Sequence, residues 1–229
     1  MKITFRFLYL LAPLFLFSLS KAWSQDERSL SYFDEIVTTG SIEVILEQGD
    51  AEKALVYAKG IDTDKVKTNV KGGILKVSVL KSLVKKGDHV RVRVFFRQLR
   101  RIKVQAGAEL SAAKRMQIDK LDLKATSGGH IELELQVNAL DVVASEGGQL
   151  DLEGKTESLD ARIVSGGNLS AFHLDSDHTY VTANTGGVAQ VVAYQSLEAS
   201  ANTGGKIDYK GDPAKTKTKD LLTGKIRQL

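Results

Sequence analysis

The chain of 229 residues contains no cysteine, which excludes disulfides, thiolate metal sites, a cysteine nucleophile and a lipid-carrying N-terminal cysteine. It has only two prolines, Pro13 and Pro213, so no proline-rich linker divides it. Apolar residues nowhere recur at helical spacing over a useful length. The sequence also lacks a Gly-x-Ser-x-Gly elbow, a P-loop, a dinucleotide fingerprint and a His-Glu-x-x-His pair. Its four histidines, His89, His130, His173 and His178, do not stand at metal-ligand spacing. His173 and His178 cluster only with Asp175 and Asp177, a grouping expected of a solvated corner. These absences predict no catalytic residue, no cofactor and no metal site.

One long apolar run is present, at residues 7–19, and it is shorter than the ~20 residues a bilayer span needs. Lys2 and Arg6 precede it, and Ala22-Trp23-Ser24 supplies small residues suited to cleavage before Gln25. Residues 1–24 are therefore expected to be a secretory signal peptide. Their removal takes away three of the 32 basic residues and no acid, leaving 29 against 28. The remaining residues 25–229 are nearly neutral and read as one domain.

The dominant feature is a Gly-Gly pair that returns through the second half at steps of 19, 19, 20 and 18 residues. The pairs are Gly128-Gly129, Gly147-Gly148, Gly166-Gly167, Gly186-Gly187 and Gly204-Gly205, with a degenerate copy at Ala106-Gly107-Ala108. Before each pair, apolar residues alternate with polar ones, as in Leu121, Leu123, Ala125 and again in Leu140, Val142, Ala144. Alternation resumes afterwards, as in Ile131, Leu133 and Leu135. Period two marks strands with one buried face, and a fixed period of this size marks stacked units. Each unit reads as strand, glycine bend, strand and polar corner. A β-solenoid with turns of about 19 residues follows, its Leu121/Leu140/Leu159 and Ile131/Leu150/Leu169 columns stacked about 4.8 Å apart.

Residues 30–104 keep β character but lose the period. Strands are predicted at 32–38, 42–48, 54–58, 66–70, 74–80 and 90–96, as irregular turns that cap one end and continue into the repeats at 105–211. Residues 212–229, with a Lys-Thr-Lys-Thr-Lys run, are predicted to be a cap or tail at the other end.

The order of motifs carries a resemblance. Phe33-Asp34-Glu35-Ile36, Gly40-Ser41-Ile42-Glu43-Val44, Gln48-Gly49-Asp50 and Gly72-Gly73-Ile74-Leu75-Lys76-Val77 precede the Ser/Thr-Gly-Gly turns and Gly211-Asp212-Pro213. In this order they resemble the putative auto-transporter adhesin family, the head GIN domain proteins. The resemblance covers residues 33–229 and implies an exported bacterial protein with a right-handed, pectin-lyase-like β-helix. It supplies no catalytic residues. Ala106-Gly107-Ala108 departs from the Ser-Gly pattern of the family.

Two surface groups merit weighing. Asp122, Asp141 and Asp160 share an outward column where stacked carboxylates repel and suit a hard cation such as Ca²⁺. Lys124 and Arg162 nearby offer neutralisation instead, and the regular repetition is that of surface decoration, unlike the converging acids of a polysaccharide-cleaving site. Residues 81–103 hold nine lysines and arginines against the single acid Asp88. Arg91 and Arg93 alternate with valines on one exposed strand face, and Arg100 and Arg101 follow. Such a patch suits an acidic glycan or other envelope polyanion, the alternative being a solvated face whose acidic partners lie elsewhere. Limited aromatic interleaving speaks against nucleic acid.

The expectation is thus a non-enzymatic adhesin or binding module at the periplasm, outer-membrane surface or exterior. Its partner would be a surface glycan, another envelope polyanion or a protein, and homo-oligomers are left open. The alternatives are polyanion binding through Arg91, Arg93, Arg100 and Arg101, and a β-helix enzyme acting on polysaccharide.

Overall fold

The structure, a computed structural model, describes residues 23–229. The segment read as a signal peptide lies outside the described residues apart from Trp23 and Ser24. The N-terminal strands are β1 (Ser24–Ser29), β2 (Glu35–Thr39), β3 (Glu43–Gln48), β4 (Lys53–Lys59), β5 (Val66–Lys71), β6 (Ile74–Val79) and β7 (His89–Phe96). The repeats form β8 (Arg101–Gln105), β9 (Glu109–Ala112), β10 (Met116–Thr126), β11 (His130–Ser145), β12 (Gln149–Ile163) and β13 (Asn168–Asn184). The chain ends with β14 (Val188–Val192), β15 (Ser196–Asn202), β16 (Lys206–Lys210), β17 (Lys215–Asp220) and β18 (Lys225–Gln228). The six strands expected before residue 97 all form; β1 went unpredicted because Ser-Gln-Asp-Glu-Arg-Ser has no apolar alternation.

The repeats coil into a parallel β-solenoid of about seven turns, ~19 residues apart. Leu121 pairs with Leu140 and Leu140 with Leu159; Ile131 pairs with Leu150 and Leu150 with Leu169. The apolar columns are therefore stacked in register, and their members are buried. One core runs the length of the coil, from Phe33 and Phe96 to Ile207.

The two glycines of each pair do different work. The residue before the pair and the first glycine both adopt positive φ, as at Glu146 (53°) and Gly147 (73°). Nothing lies near a Cβ built on Gly147, so backbone conformation alone favours glycine there. Gly148 has no positive φ, but a Cβ on it would overlap the Ala125 carbonyl of the preceding turn. The degenerate copy fits the same logic. Ala108 takes the second position and is fully buried, because the adjacent turn there is the differently shaped corner between β2 and β3.

The N-terminal turns do not simply continue the coil. Along one side the order is β6, β2, β8, β10, and along the other β7, β3, β9, β11. The chain lays down residues 35–48 first, then places 74–96 on the far side of that turn, and returns to stack 101–112 on the near side. Antiparallel strands close this end: β4 pairs with β7, β1 with β4, and β5 with β6. Arg28 fastens β1 by donating to the carbonyls of Val66 (2.6 Å) and Thr63 (2.9 Å).

At the other end, residues 212–229 are a full turn, not a tail. β17 pairs parallel with β15, and β18 with β16. Leu222 takes positive φ, and a Cβ on Gly224 would overlap the Ala201 carbonyl, so Leu222-Thr223-Gly224 is one more bend. It escapes notice because a single glycine remains. Its β17 strand is exposed throughout and carries Lys215, Lys217 and Lys219.

Candidate binding surfaces

The coil turns every second side chain outward and repeats it on the next turn, so the surface consists of ladders. The acidic ladder expected from the sequence forms: Asp122 pairs with Asp141, and Asp141 with Asp160. It continues through Tyr180 and Glu198 to Lys217. Arg162 acts on it through its charge at Asp160, while the ion pairs come from cations other than Lys124 and Arg162. Arg101 reaches Asp122 at 3.3 Å and Lys120 reaches Asp141 at 3.1 Å. The Asp160 carboxyl is pushed above its ordinary range by burial first and by the Asp141 charge second, with Arg162 opposing. Among the described residues, no three or more His, Asp or Glu side chains converge as a metal site.

The four arginines singled out by the sequence do not form one free cationic patch. Each sits against a carboxylate of the 34–52 segment, which the swapped turn order places beside them. Arg91 meets Glu43 at 2.8 Å and Arg93 meets Glu47 at 3.5 Å. Arg100 meets Asp34 at 2.6 Å, while Arg101 bridges Glu35 at 2.7 Å and Asp122. Arg97 is likewise paired with Glu52 at 2.7 Å. Arg91 and Arg93 share a shallow depression with Ile45, Tyr57 and Trp23, an apolar setting for two neutralised cations. A larger cleft of about 560 Å³ lies where the cap meets the coil, with Glu43, Lys59, His89 and Arg91 in its walls.

Lysines without an ion-pair partner among the described residues also gather on the last two turns. There Lys217 pairs with Glu198 at 2.7 Å and Arg227 with Asp208 at 2.9 Å, whereas Lys215, Lys219, Lys206 and Lys225 have no such partner. Lys206 and Lys225 are direct register neighbours, two like charges one strand apart. Below Lys215 lies a cleft of about 330 Å³ lined by Ser158, His178, Tyr180, Ser196 and Glu198. In it His178 Nδ1 and Ser196 Oγ are 2.9 Å apart. The corner expected at residues 175–178 does not gather His173 with His178: His178 faces Ser196, and Asp175 accepts a hydrogen bond from the Tyr194 hydroxyl at 2.9 Å. The sequence displayed the Lys-Thr-Lys-Thr-Lys run but neither its place on a stacked turn nor the Tyr180 cleft, because both come from pairing residues 18 or 19 positions apart.

No helix of the described residues is long and apolar enough to cross a membrane. Similar folds occur in solved structures. A putative adhesin from Bacteroides fragilis superposes with a TM-score of 0.80 at 20% identity, covering 92% of this chain and 98% of that one. A putative adhesin from Parabacteroides merdae gives 0.71 at 19% identity, covering 90% and 96%. A protein named as a putative lipid-binding protein, from Parabacteroides distasonis, gives 0.67 at 21%, also covering 90% and 96%. At these identities the likeness concerns the fold. No curated protein matches the sequence. The family profile described as putative auto-transporter adhesin, head GIN domain, matches residues 32–213, and with the solenoid and its serial glycine bends in place the chain belongs to that family.

Proposed function

We propose that this protein is a non-enzymatic binding module exported to the cell envelope, where it holds a partner by multivalent contact along its laddered faces. The observation that carries this reading is the in-register repetition of outward side chains over successive turns. Side chains repeated about 4.8 Å apart present the same group several times to a repetitive partner, so individually weak contacts sum. Membership of an adhesin family supports the same reading.

Polyanion capture through Arg91, Arg93, Arg100 and Arg101 is less well supported than the sequence suggested, since carboxylates already satisfy those guanidiniums. The test is a retention panel of envelope polysaccharides, lipopolysaccharide and lipid vesicles, run with the full chain; vesicles belong in it because one solved neighbour carries a lipid-binding name. Saturable retention on at least one envelope component is expected, together with cleavage of the protein by protease added to intact cells. Retention on none would refute the binding reading, and full protease protection would refute surface display. Release of reducing ends or unsaturated products from the polysaccharides would overturn the non-enzymatic reading.

A further inference from the structure

We infer that the cleft beside Tyr180 is a subsite for a carboxylate-bearing sugar residue, held between the tyrosine ring and the lysines of the last turn. The inference rests on the binding-module reading and deepens it.

The first observation is a break in the acidic ladder. Its outward column runs Asp122, Asp141, Asp160, then changes to Tyr180, Glu198 and Lys217. An aromatic ring thus replaces a carboxylate where the cleft opens, and Tyr180 remains 44% exposed. A half-exposed ring flanked by hydroxyls and charges suits the C–H face of a pyranose, which is apolar on one side and hydroxylated round its rim.

The second observation is charge. Lys215, Lys217 and Lys219 project from one strand at alternate positions, about 6.6 Å apart at ordinary strand rise. Glu198 occupies Lys217 alone, so Lys215 faces the cleft with its charge unspent. A carboxylate on the stacked sugar would form a charge-assisted hydrogen bond there. Ser196 and His178, already joined at 2.9 Å, and Ser158 supply donors and acceptors for ring hydroxyls.

The third observation is rigidity. The floor beneath Tyr180 is strand, and buried Thr179 donates to the Val192 carbonyl at 2.7 Å, with its hydroxyl oxygen 3.0 Å from that of Ser176. Little ordering is then needed when a ligand arrives. The volume of about 330 Å³ sits at the low end of the range for small-ligand sites, which suits one or two sugar residues of a longer chain.

The test uses the full chain with three probes: oligogalacturonate, a neutral galacto-oligosaccharide and inorganic polyphosphate. Oligogalacturonate is expected to bind in preference to the neutral sugar. Tyr180→Ala should weaken it about tenfold while leaving polyphosphate retention unchanged, and Tyr180→Phe should retain binding. Lys215→Gln should weaken oligogalacturonate several-fold, an effect that shrinks as salt is raised. The inference is overturned if the wild-type chain ignores oligogalacturonate, or if Tyr180→Ala binds it as well as wild type. Equal binding of polyphosphate and oligogalacturonate with indifference to Tyr180 would reduce the surface to plain charge attraction. An envelope component retained equally by wild type and the cleft variants would sink the subsite and leave the wider binding reading intact; a wholly negative retention panel would sink both.

Discussion

Replacing Gly147 and Gly148 by alanine, one at a time, separates the two reasons for glycine in the repeat. Gly147 adopts φ +73° with open space where a Cβ would go. An L-residue there meets the left-handed penalty of roughly 1–2 kcal/mol, offset by about 0.4–1 kcal/mol because alanine narrows the unfolded ensemble. The net loss is about 1 kcal/mol or less, and the fold already tolerates a non-glycine residue at positive φ one position earlier, at Glu146. Gly148 is the opposite case. Its backbone suits any residue, but a Cβ would overlap the Ala125 carbonyl and lie 2.9 Å from Thr126 N. Neither strand can withdraw freely, since Gly148 N donates to Ser145 O, Asn168 N to Gly148 O and Gln149 N to Gly129 O, each at 2.9 Å. Relief requires parting two turns, so an overpacking cost of about 1–3 kcal/mol is joined by one or two weakened ladder bonds of about 1 kcal/mol each. Gly148→Ala should therefore lose about 3 kcal/mol, close to 6–12 °C in Tm for a chain of this size, and Gly147→Ala a quarter to a third of that. Urea unfolding followed by far-ultraviolet circular dichroism, with thermal melts alongside, measures the contrast. Equal losses, or the larger loss at Gly147, would refute the assignment of steric contact to the second glycine.

Two further outcomes concern single side chains and a third compares two pairs of cations. Thr38 is fully buried and its hydroxyl has no hydrogen-bond partner among the described residues, so Thr38→Val should stabilise by about 1 kcal/mol in urea titrations; a loss of similar size would show that the hydroxyl is satisfied. Asp160 carries a raised carboxyl pKa, so the folded chain holds that proton more tightly than the unfolded one, and ionisation lowers stability as pH climbs from the ordinary value of 3.8 through the raised folded value. Asp160→Asn should accordingly raise Tm at neutral pH and lose its advantage below pH 3.8, whereas an equal gain at both pH values would exclude titration as the cause. Arg91→Glu combined with Arg93→Glu should change salt-sensitive retention on an anionic glycan column less than Lys215→Gln combined with Lys219→Gln, because Glu43 and Glu47 already face the two arginines; the reverse ranking would restore the 81–103 segment as the anion site.

The contrast between the two basic segments shows what sequence could and could not convey. Period-two alternation and the 19-residue glycine step are local properties, so the solenoid, its inward columns and the Asp122–Asp141–Asp160 ladder could be read off directly. Turn order is not local. Residues 35–48 lie between 74–96 and 101–112, and nothing in the spacing of these segments announces that the first turn is enclosed by the third and fourth strand pairs. That enclosure brings Asp34 and Glu35 to Arg100 and Arg101 across 66 positions, and Glu43 to Arg91 across 48. The five arginines of that cationic run thus become paired in space. The last turn runs the other way: its Lys-Thr-Lys-Thr-Lys run looks like a fraying tail, yet pairing with β15 holds it as a strand. β17 has Ser196, Glu198 and Ser200 as register neighbours and no further paired strand among the described residues, so Lys217 finds the one acid of that row and Lys215 and Lys219 stay unpaired. The count of basic residues locates where cations are; strand order decides which of them are still available to a partner.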